Sequence, residues 1–194
     1  MELEFWGVRG TTPESGKKFV NYGGHTPCAR IRSAAGDSLV IDAGTGIKRL
    51  GERLMAESGQ AAFKIDLLLT HFHLDHIMGL PFFAPLYSNR VAITIHSPLS
   101  PRETERYLGG LQVGRYFPVD FKETASEKKF VKADESGFSV GMFRIALSPL
   151  NHPQGSVAYR IEESGSSVVF ATDTEPPEYG LDERLAAFIR DASC

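Results

Sequence analysis

The sequence contains little cysteine, with only Cys28 and Cys194 among its 194 residues. Two cysteines cannot build the disulfide framework that supports many small secreted domains. A chain of this length can instead bury roughly 70% of the surface that its unfolded form exposes. It therefore needs neither disulfides nor a structural metal to fold, and any metal that it binds is expected to serve its function.

Basic side chains are not in excess either, because 21 lysines and arginines face 24 aspartates and glutamates, for a net charge of −3. This balance argues against a protein that binds extended nucleic acid through its phosphates, which usually requires a basic face. It leaves room for a small phosphorylated substrate, which a metal could hold.

Long apolar runs are also missing from the sequence. No stretch approaches the roughly 20 apolar residues of a membrane-spanning helix. The first residues, Met1–Glu4, lack the basic region that opens a signal peptide. We therefore expect a cytoplasmic protein without a membrane partner. Composition does not decide the oligomeric state, and a homodimer is left open.

The distribution of apolar residues predicts a chain in which strands and helices alternate. Helical periodicity predicts a helix between an N-cap at Thr45 and a stop at Gly59, another over 101–111 that has Pro101 in its first turn, and a last one over 181–189. A short helix is expected within 77–87, whereas 115–136 is irregular. Apolar runs bounded by turn residues predict strands over 3–8, 27–33, 38–42, 65–70, 91–96, 137–150, 156–162 and 166–172. This order indicates an α/β fold of mixed sheets covered by helices.

A cluster of metal-binding residue types follows the predicted strand 65–70. It consists of His71, His73, Asp75 and His76. Residues i and i+2 of an extended chain point the same way, so His71 and His73 can bind one ion together. If the chain then turns into a helix, the next two side chains face a neighbouring position, which suggests a second ion. Imidazole and carboxylate ligands are compatible with zinc, iron or manganese.

The segment Thr70–His76 resembles the T-H-x-H-x-D-H signature of the metallo-β-lactamase superfamily. Five further segments resemble parts of the same family and of its branch related to ribonuclease Z and the phosphonate-pathway phosphodiesterase. They are Asp42–Gly46, Leu150–Pro153, Ala171–Thr174, and the opening made of Phe5–Gly10 and Tyr22–Cys28. The resemblance covers nearly the whole chain.

The resemblance implies a single domain over 1–194 with a metallo-β-lactamase-like αββα sandwich of two mixed β-sheets flanked by helices. It also implies that His71, His73 and His152 bind one metal ion, that Asp75 and His76 bind a second, and that Asp173 bridges both. His152 and Asp173 each follow an apolar strand, where a side chain can point into a cleft. Two alternatives stay open for them, a turn histidine before Pro153 and a strand-end cap.

The sequence departs from the family pattern near its end. That pattern continues beyond the position of Cys194 through another strand and helix, which carry a last metal-binding histidine. No histidine follows His152 in this sequence. We therefore expect the fold to lack its last strand and helix, and the second metal site to be one ligand short within these residues. His25, where the branch often has asparagine, is interpreted as a loop histidine.

The function implied by the resemblance is hydrolysis by a metal-bound hydroxide at two divalent ions, preferably zinc. Asp75 is the expected catalytic residue, which orients the attacking water. A small phosphodiester such as a cyclic nucleotide or an RNA end is the favoured substrate. Alternatives are a thioester or lactam hydrolase, and a catalytically incomplete metal-binding module with a structural or regulatory role. A flavin-dependent di-iron protein is disfavoured, because such proteins commonly carry glutamate where His73 stands.

Overall fold

The computed structural model describes residues 1–194 and contains ten strands and four α-helices. The chain divides into two compact units. The larger unit comprises Leu3–Ile31 and Ser38–Lys132, and the smaller unit comprises Met1–Glu2, Arg32–Asp37 and Ala133–Cys194. No helix has both the length and the hydropathy needed to cross a membrane. The single domain expected over 1–194 stays a prediction.

A six-stranded sheet forms the centre of the larger unit. Its strands are β1 (Glu2–Gly7), β2 (Cys28–Arg32), β3 (Ser38–Ile41), β4 (Phe63–Leu68), β5 (Val91–Ser97) and β6 (Glu127–Lys132), and they lie in that order. Strands β3 to β6 pair in parallel. The five residues between β2 and β3 are too few for a crossover, so this pair is antiparallel and the sheet is mixed as predicted.

Three helices accompany this sheet: α1 (Ile47–Ser58), α2 (Leu74–Ile77) and α3 (Pro101–Leu111). Helix α1 buries Ile47, Leu50 and Leu54, which recur at helical spacing and join the hydrophobic core. Helix α3 has the predicted bounds, because Ser100 and Glu103 form a capping box on either side of Pro101, which occupies the first turn.

A four-stranded sheet forms the smaller unit, in the order β10 (Ser166–Phe170), β9 (Ser156–Glu163), β8 (Phe143–Leu150) and β7 (Phe138–Val140). The last helix, α4 (Glu183–Ile189), follows it in the chain. All three strand pairings are antiparallel, so the prediction of a mixed second sheet is wrong in this detail. Short turns join the successive strands, and such turns allow only antiparallel pairing.

The structure corrects three further local predictions. The strand predicted over 137–150 is a hairpin, because Gly141 at φ 52° makes the turn between β7 and β8. The segment predicted to be irregular contains β6. Helix α1 has Gly46 as its N-cap, because the Thr45 hydroxyl accepts a hydrogen bond from the Thr26 backbone N–H instead.

Candidate metal centre

The four clustered ligand candidates lie on one short connection in the larger unit. The chain leaves β4 at Leu68, and His73 is the N-cap of α2, which places Asp75 in the first turn of that helix. His71 and His76 are buried, whereas His73 and Asp75 are half-buried. The predicted turn into a helix is therefore confirmed, and it lets adjacent residues contribute side chains to one region.

The ligand atoms of this connection converge. One ring nitrogen of His71 lies within 4.8 Å of a ring nitrogen of His73, and the same holds for His71 and His76. The Nε2 atom of His76 lies 3.7 Å from Oδ2 of Asp75. These imidazole and carboxylate groups form a donor set that fits a divalent transition metal. How the four side chains divide between two ions stays a prediction.

A buried carboxylate, Asp42, orients two of the histidines. Asp42 follows β3, and its side chain is fully buried. It accepts hydrogen bonds from the Thr70 backbone N–H at 2.8 Å, from the Thr70 hydroxyl at 2.9 Å, and from Nδ1 of His76 at 2.7 Å. The Thr70 hydroxyl in turn lies 3.0 Å from Nδ1 of His71. We assign the Nδ1–H tautomer to both rings on this network, so that each Nε2 carries the lone pair with which it could bind a metal.

The backbone around Asp42 ties this carboxylate to α2. Asp42 has a φ of 59°, which aspartate tolerates better than most residues. The Ala43 N–H donates to the His76 carbonyl at 2.7 Å, and the Gly79 N–H donates to the Ala43 carbonyl at 2.9 Å. A Cβ at Gly79 would lie 2.1 Å from the Gly44 carbonyl oxygen, so only glycine permits this approach. The turn and the helix therefore hold each other in place.

A contact from the N-terminal loop fixes Asp75. The Thr11 backbone N–H donates to Oδ2 of Asp75 at 2.8 Å, although the two residues are far apart in the sequence. The sequence alone did not predict this contact, nor the hydrogen bonds by which Thr70 supports the histidines. It noted Asp42 only as part of a motif. The available signal was an acidic residue at the end of the predicted apolar strand 38–42.

The other two ligand candidates belong to the smaller unit. His152 lies just beyond β8, Asp173 lies beyond β10, and both are half-buried. Both strands pair with β9 in antiparallel fashion, so they end at the same edge of their sheet. The two loops are joined there, because the Glu175 N–H donates to the Asn151 carbonyl at 2.6 Å and Nδ2 of Asn151 donates to the Glu175 carbonyl at 3.2 Å.

Two further titratable residues near the ligand segment serve the structure. His25 is half-buried, with Nδ1 3.2 Å from the Thr45 hydroxyl. Burial, and then the charges of Arg49 and Lys48, lower the pKa of His25. Burial, and then the charge of Asp42, raise the pKa of the Cys28 thiol well above its usual value. Cys28 therefore stays protonated and acts as a core residue.

Comparison with known proteins shows the family to which the chain belongs. The family model described as the metallo-beta-lactamase superfamily matches residues 22–190. A curated ribonuclease Z of Lactiplantibacillus plantarum is 27% identical over 173 residues, which are 84% of this chain and 49% of that protein. The chain spans about half the length of the curated relatives it matches, for example 49% and 53% of two of them.

Solved structures show the same fold. The metallo-beta-lactamase fold protein YhfI from Bacillus subtilis superposes with a TM-score of 0.69 at 20% identity, over 98% of this chain and 68% of that one. A diphosphatase from the PhnP family superposes with a TM-score of 0.56 at 18% identity, over 85% of this chain and 63% of that one. The predicted metallo-β-lactamase-like α/β fold and the resemblance to the ribonuclease Z branch are confirmed, whereas the expected lack of a last strand and helix stays a prediction. The chain belongs to the metallo-beta-lactamase superfamily.

Proposed function

We propose that this chain is a metal-dependent phosphodiesterase. The observation that carries the proposal is the convergence of His71, His73, Asp75 and His76 on one connection whose buried hydrogen bonds already orient two of the imidazoles. The similarity to ribonuclease Z over 84% of the chain supports a phosphodiester as the bond that is cleaved. We also propose a cytoplasmic location.

The ligand assignment of the proposed centre follows the family resemblance. His71, His73 and His152 would bind one divalent ion, Asp75 and His76 a second, and Asp173 would bridge them. Zinc suits this mixture of imidazole and carboxylate, and manganese or iron are the alternatives. When bound, the ions supply a water of lowered pKa and neutralise negative charge on the phosphoryl oxygens.

The chain's own residues would position the reactants. Asp42 and Thr70 hold the rings of His71 and His76, so these ligands need little reorganisation. Asp75 is proposed to orient the attacking water. Its Oδ2 accepts the Thr11 N–H, which restrains the carboxylate, and Asp75 would accept the proton of that water.

The favoured substrate is a small phosphodiester, such as a cyclic nucleotide or an RNA end. The net charge of −3 supports a small substrate over an extended nucleic acid. A thioester or lactam would need the same donor set, and substrate assays separate these chemistries.

The test combines metal analysis with an assay of turnover. The purified protein is loaded with zinc or manganese, its metal content is measured by elemental analysis, and hydrolysis of bis-(p-nitrophenyl) phosphate is followed. We expect bound metal, turnover that a chelator abolishes, and recovery on adding metal back. Bound metal without turnover of phosphodiester, thioester or lactam substrates would support the metal-binding module instead.

The role of Asp75 is tested separately. The variant Asp75→Ala is expected to lose turnover by at least about a hundredfold, the lower range for a group that moves a proton in the rate-limiting step. Asp66→Asn is the matched control, because Asp66 contacts His96 at 2.8 Å outside the ligand segment. Full activity of Asp75→Ala with its metal bound would show that the assignment is wrong.

A further inference from the structure

We propose that the loop between β1 and β2 binds a second phosphate group of the substrate through Arg9 and Lys18. The proposal rests on the proposed function and deepens it, because it assigns the substrate to phosphodiesters that carry a further phosphate, such as an RNA end, rather than to cyclic mononucleotides. The proposed binding place is an open cavity of about 270 Å³, which residues 8–10, 18, 19, 22 and 23 line.

A hydrogen bond connects this loop to the ligand segment. The Thr11 backbone N–H donates to Oδ2 of Asp75 at 2.8 Å. Gly10, the residue before Thr11, lines the cavity. Successive Cα atoms are about 3.8 Å apart, so the Cα atom of Arg9 lies at most about 8 Å from that of Thr11. A substrate whose phosphodiester is bound at Asp75 would therefore reach the cavity with its next phosphate.

The charges that line the cavity are of one sign. Arg9 and Lys18 are cationic, and no acidic residue lines it. Glu14 approaches Arg9 from outside the lining, but Nη2 and Oε1 are 3.7 Å apart, which is too long for a hydrogen bond. Nε of Arg9 donates to the Thr12 carbonyl at 3.1 Å. The N–H groups of the two terminal nitrogens therefore stay available to an anion.

The loop fixes the wall of the cavity before a ligand binds. The guanidinium carbon of Arg9 lies 4.9 Å from the centroid of the Phe19 ring, which is a cation–π contact. The Gly23 N–H donates to the Phe19 carbonyl at 2.8 Å, and the Glu14 N–H donates to the Gly24 carbonyl at 2.9 Å. A Cβ at Gly24 would lie 1.7 Å from the Glu14 carbonyl oxygen, so the two arms of the loop are in direct contact. Binding of an anion therefore requires little ordering of the loop.

The size of this cationic lining suits one phosphate group. Arginine binds phosphate through paired N–H groups, and lysine binds it as a point charge. A long polyanion would require many such contacts along a basic face. The cavity offers two cations, in a protein whose net charge is −3. These observations favour a short substrate with two phosphates, one at the ligand segment and one in the cavity.

The experiment compares two substrates that share a leaving group. One is the p-nitrophenyl ester of thymidine 5′-monophosphate, and the other carries an additional phosphate on the 3′ oxygen of the same nucleotide. For Lys18→Gln in the metal-loaded protein, we expect the ratio of kcat/KM for the ester with the additional phosphate to that for the ester without it to fall about fivefold. Lys18→Arg keeps the charge and is expected to keep the ratio.

Lys17→Gln is the matched control. Lys17 is the neighbouring residue and is also exposed, but it does not line the cavity. This variant changes the net charge by the same amount and is expected to leave the ratio unchanged. The proposal is overturned if Lys18→Gln reduces both activities equally, if it leaves the ratio unchanged, or if Lys17→Gln lowers the ratio as much as Lys18→Gln does.

A binding measurement separates this proposal from the proposed function. If the wild-type protein cleaves neither ester, the phosphodiesterase assignment fails. Calorimetric titration of the same samples with thymidine 3′,5′-bisphosphate and with thymidine 5′-monophosphate then tests the cavity. Tighter binding of the bisphosphate that is lost in Lys18→Gln and kept in Lys17→Gln would support the second phosphate site. Equal affinity of the wild-type protein for both nucleotides, binding of neither, or the same result in both variants would overturn it.

Discussion

The ligand candidates of the larger unit and those of the smaller unit differ in how the protein holds their side chains. In the larger unit, four candidates follow one another on a single connection, and a fully buried carboxylate accepts three hydrogen bonds beneath them. In the smaller unit, His152 and Asp173 lie on separate half-buried loops, which Asn151 and Glu175 join. The protein's own hydrogen bonds therefore hold the ligand segment of the larger unit in position, whereas we expect the two loops of the smaller unit to gain order from bound metal.

The largest effect is expected from a substitution that disrupts the backbone supporting the ligand segment of the larger unit. In Gly79→Ala, the new Cβ would meet the Gly44 carbonyl oxygen at 2.1 Å, so the turn after β3 and α2 must separate. We expect the free energy of unfolding to fall by about 3 kcal/mol, as measured by urea denaturation. Metal binding is expected to weaken as well, because the hydrogen bonds of Asp42 depend on this approach.

Gly10→Ala serves as the control for this substitution. A Cβ at Gly10 would meet no atom within 4 Å, and we expect the stability to change by no more than about 0.5 kcal/mol. Equal stability of the two variants would show that the turn and α2 are not tightly held together.

A smaller effect is expected from Asp42→Asn, which keeps the shape of the side chain. The amide replaces one accepting oxygen with a donor, which faces either the Thr70 backbone N–H or both the Thr70 hydroxyl and Nδ1–H of His76. We expect zinc affinity, measured by competition with a chromogenic chelator, to fall about 10- to 100-fold.

Asp66→Asn again provides the comparison, because it alters a carboxylate–histidine pair of the same unit outside the ligand segment. Its zinc affinity should match that of the wild-type protein. If the two variants lost affinity equally, the effect of Asp42 would be one of general stability, and its orienting role would be refuted.

The smallest effect is expected from a substitution in the loops that carry His152 and Asp173. Asn151→Ala removes the hydrogen bond from Nδ2 to the Glu175 carbonyl but keeps the backbone bond between the same residues. Because the lost bond is exposed to water, we expect it to contribute about 0.5 kcal/mol, which corresponds to a loss of zinc affinity of roughly twofold. If Asn151→Ala lost as much zinc affinity as Asp42→Asn, the protein would hold the ligand candidates of both units in position to the same degree.

The sequence predicted those features that depend on neighbours along the chain. The ligand cluster and α3 belong to this class, because the spacing of His71 and His73 and the place of Pro101 in the first turn of the helix are local properties. The support of His76 by Asp42 was missed, because the pair is 34 residues apart and only the parallel pairing of β3 with β4 brings the segments together. Strand β6 was missed for a different reason. Its sequence begins Glu127-Lys128-Lys129 and lacks the apolar alternation of a half-buried strand.

The composition of β6 also affects how the protein behaves in concentrated solution. Strand β6 is the last strand of its sheet, and Glu127, Lys129 and Lys132 are exposed on it. An edge strand offers unpaired backbone groups to other chains, and charged side chains, lysine above all, oppose such pairing through repulsion and the cost of desolvation. The charged side chains that made this strand difficult to predict from the sequence therefore protect the sheet against aggregation at that edge.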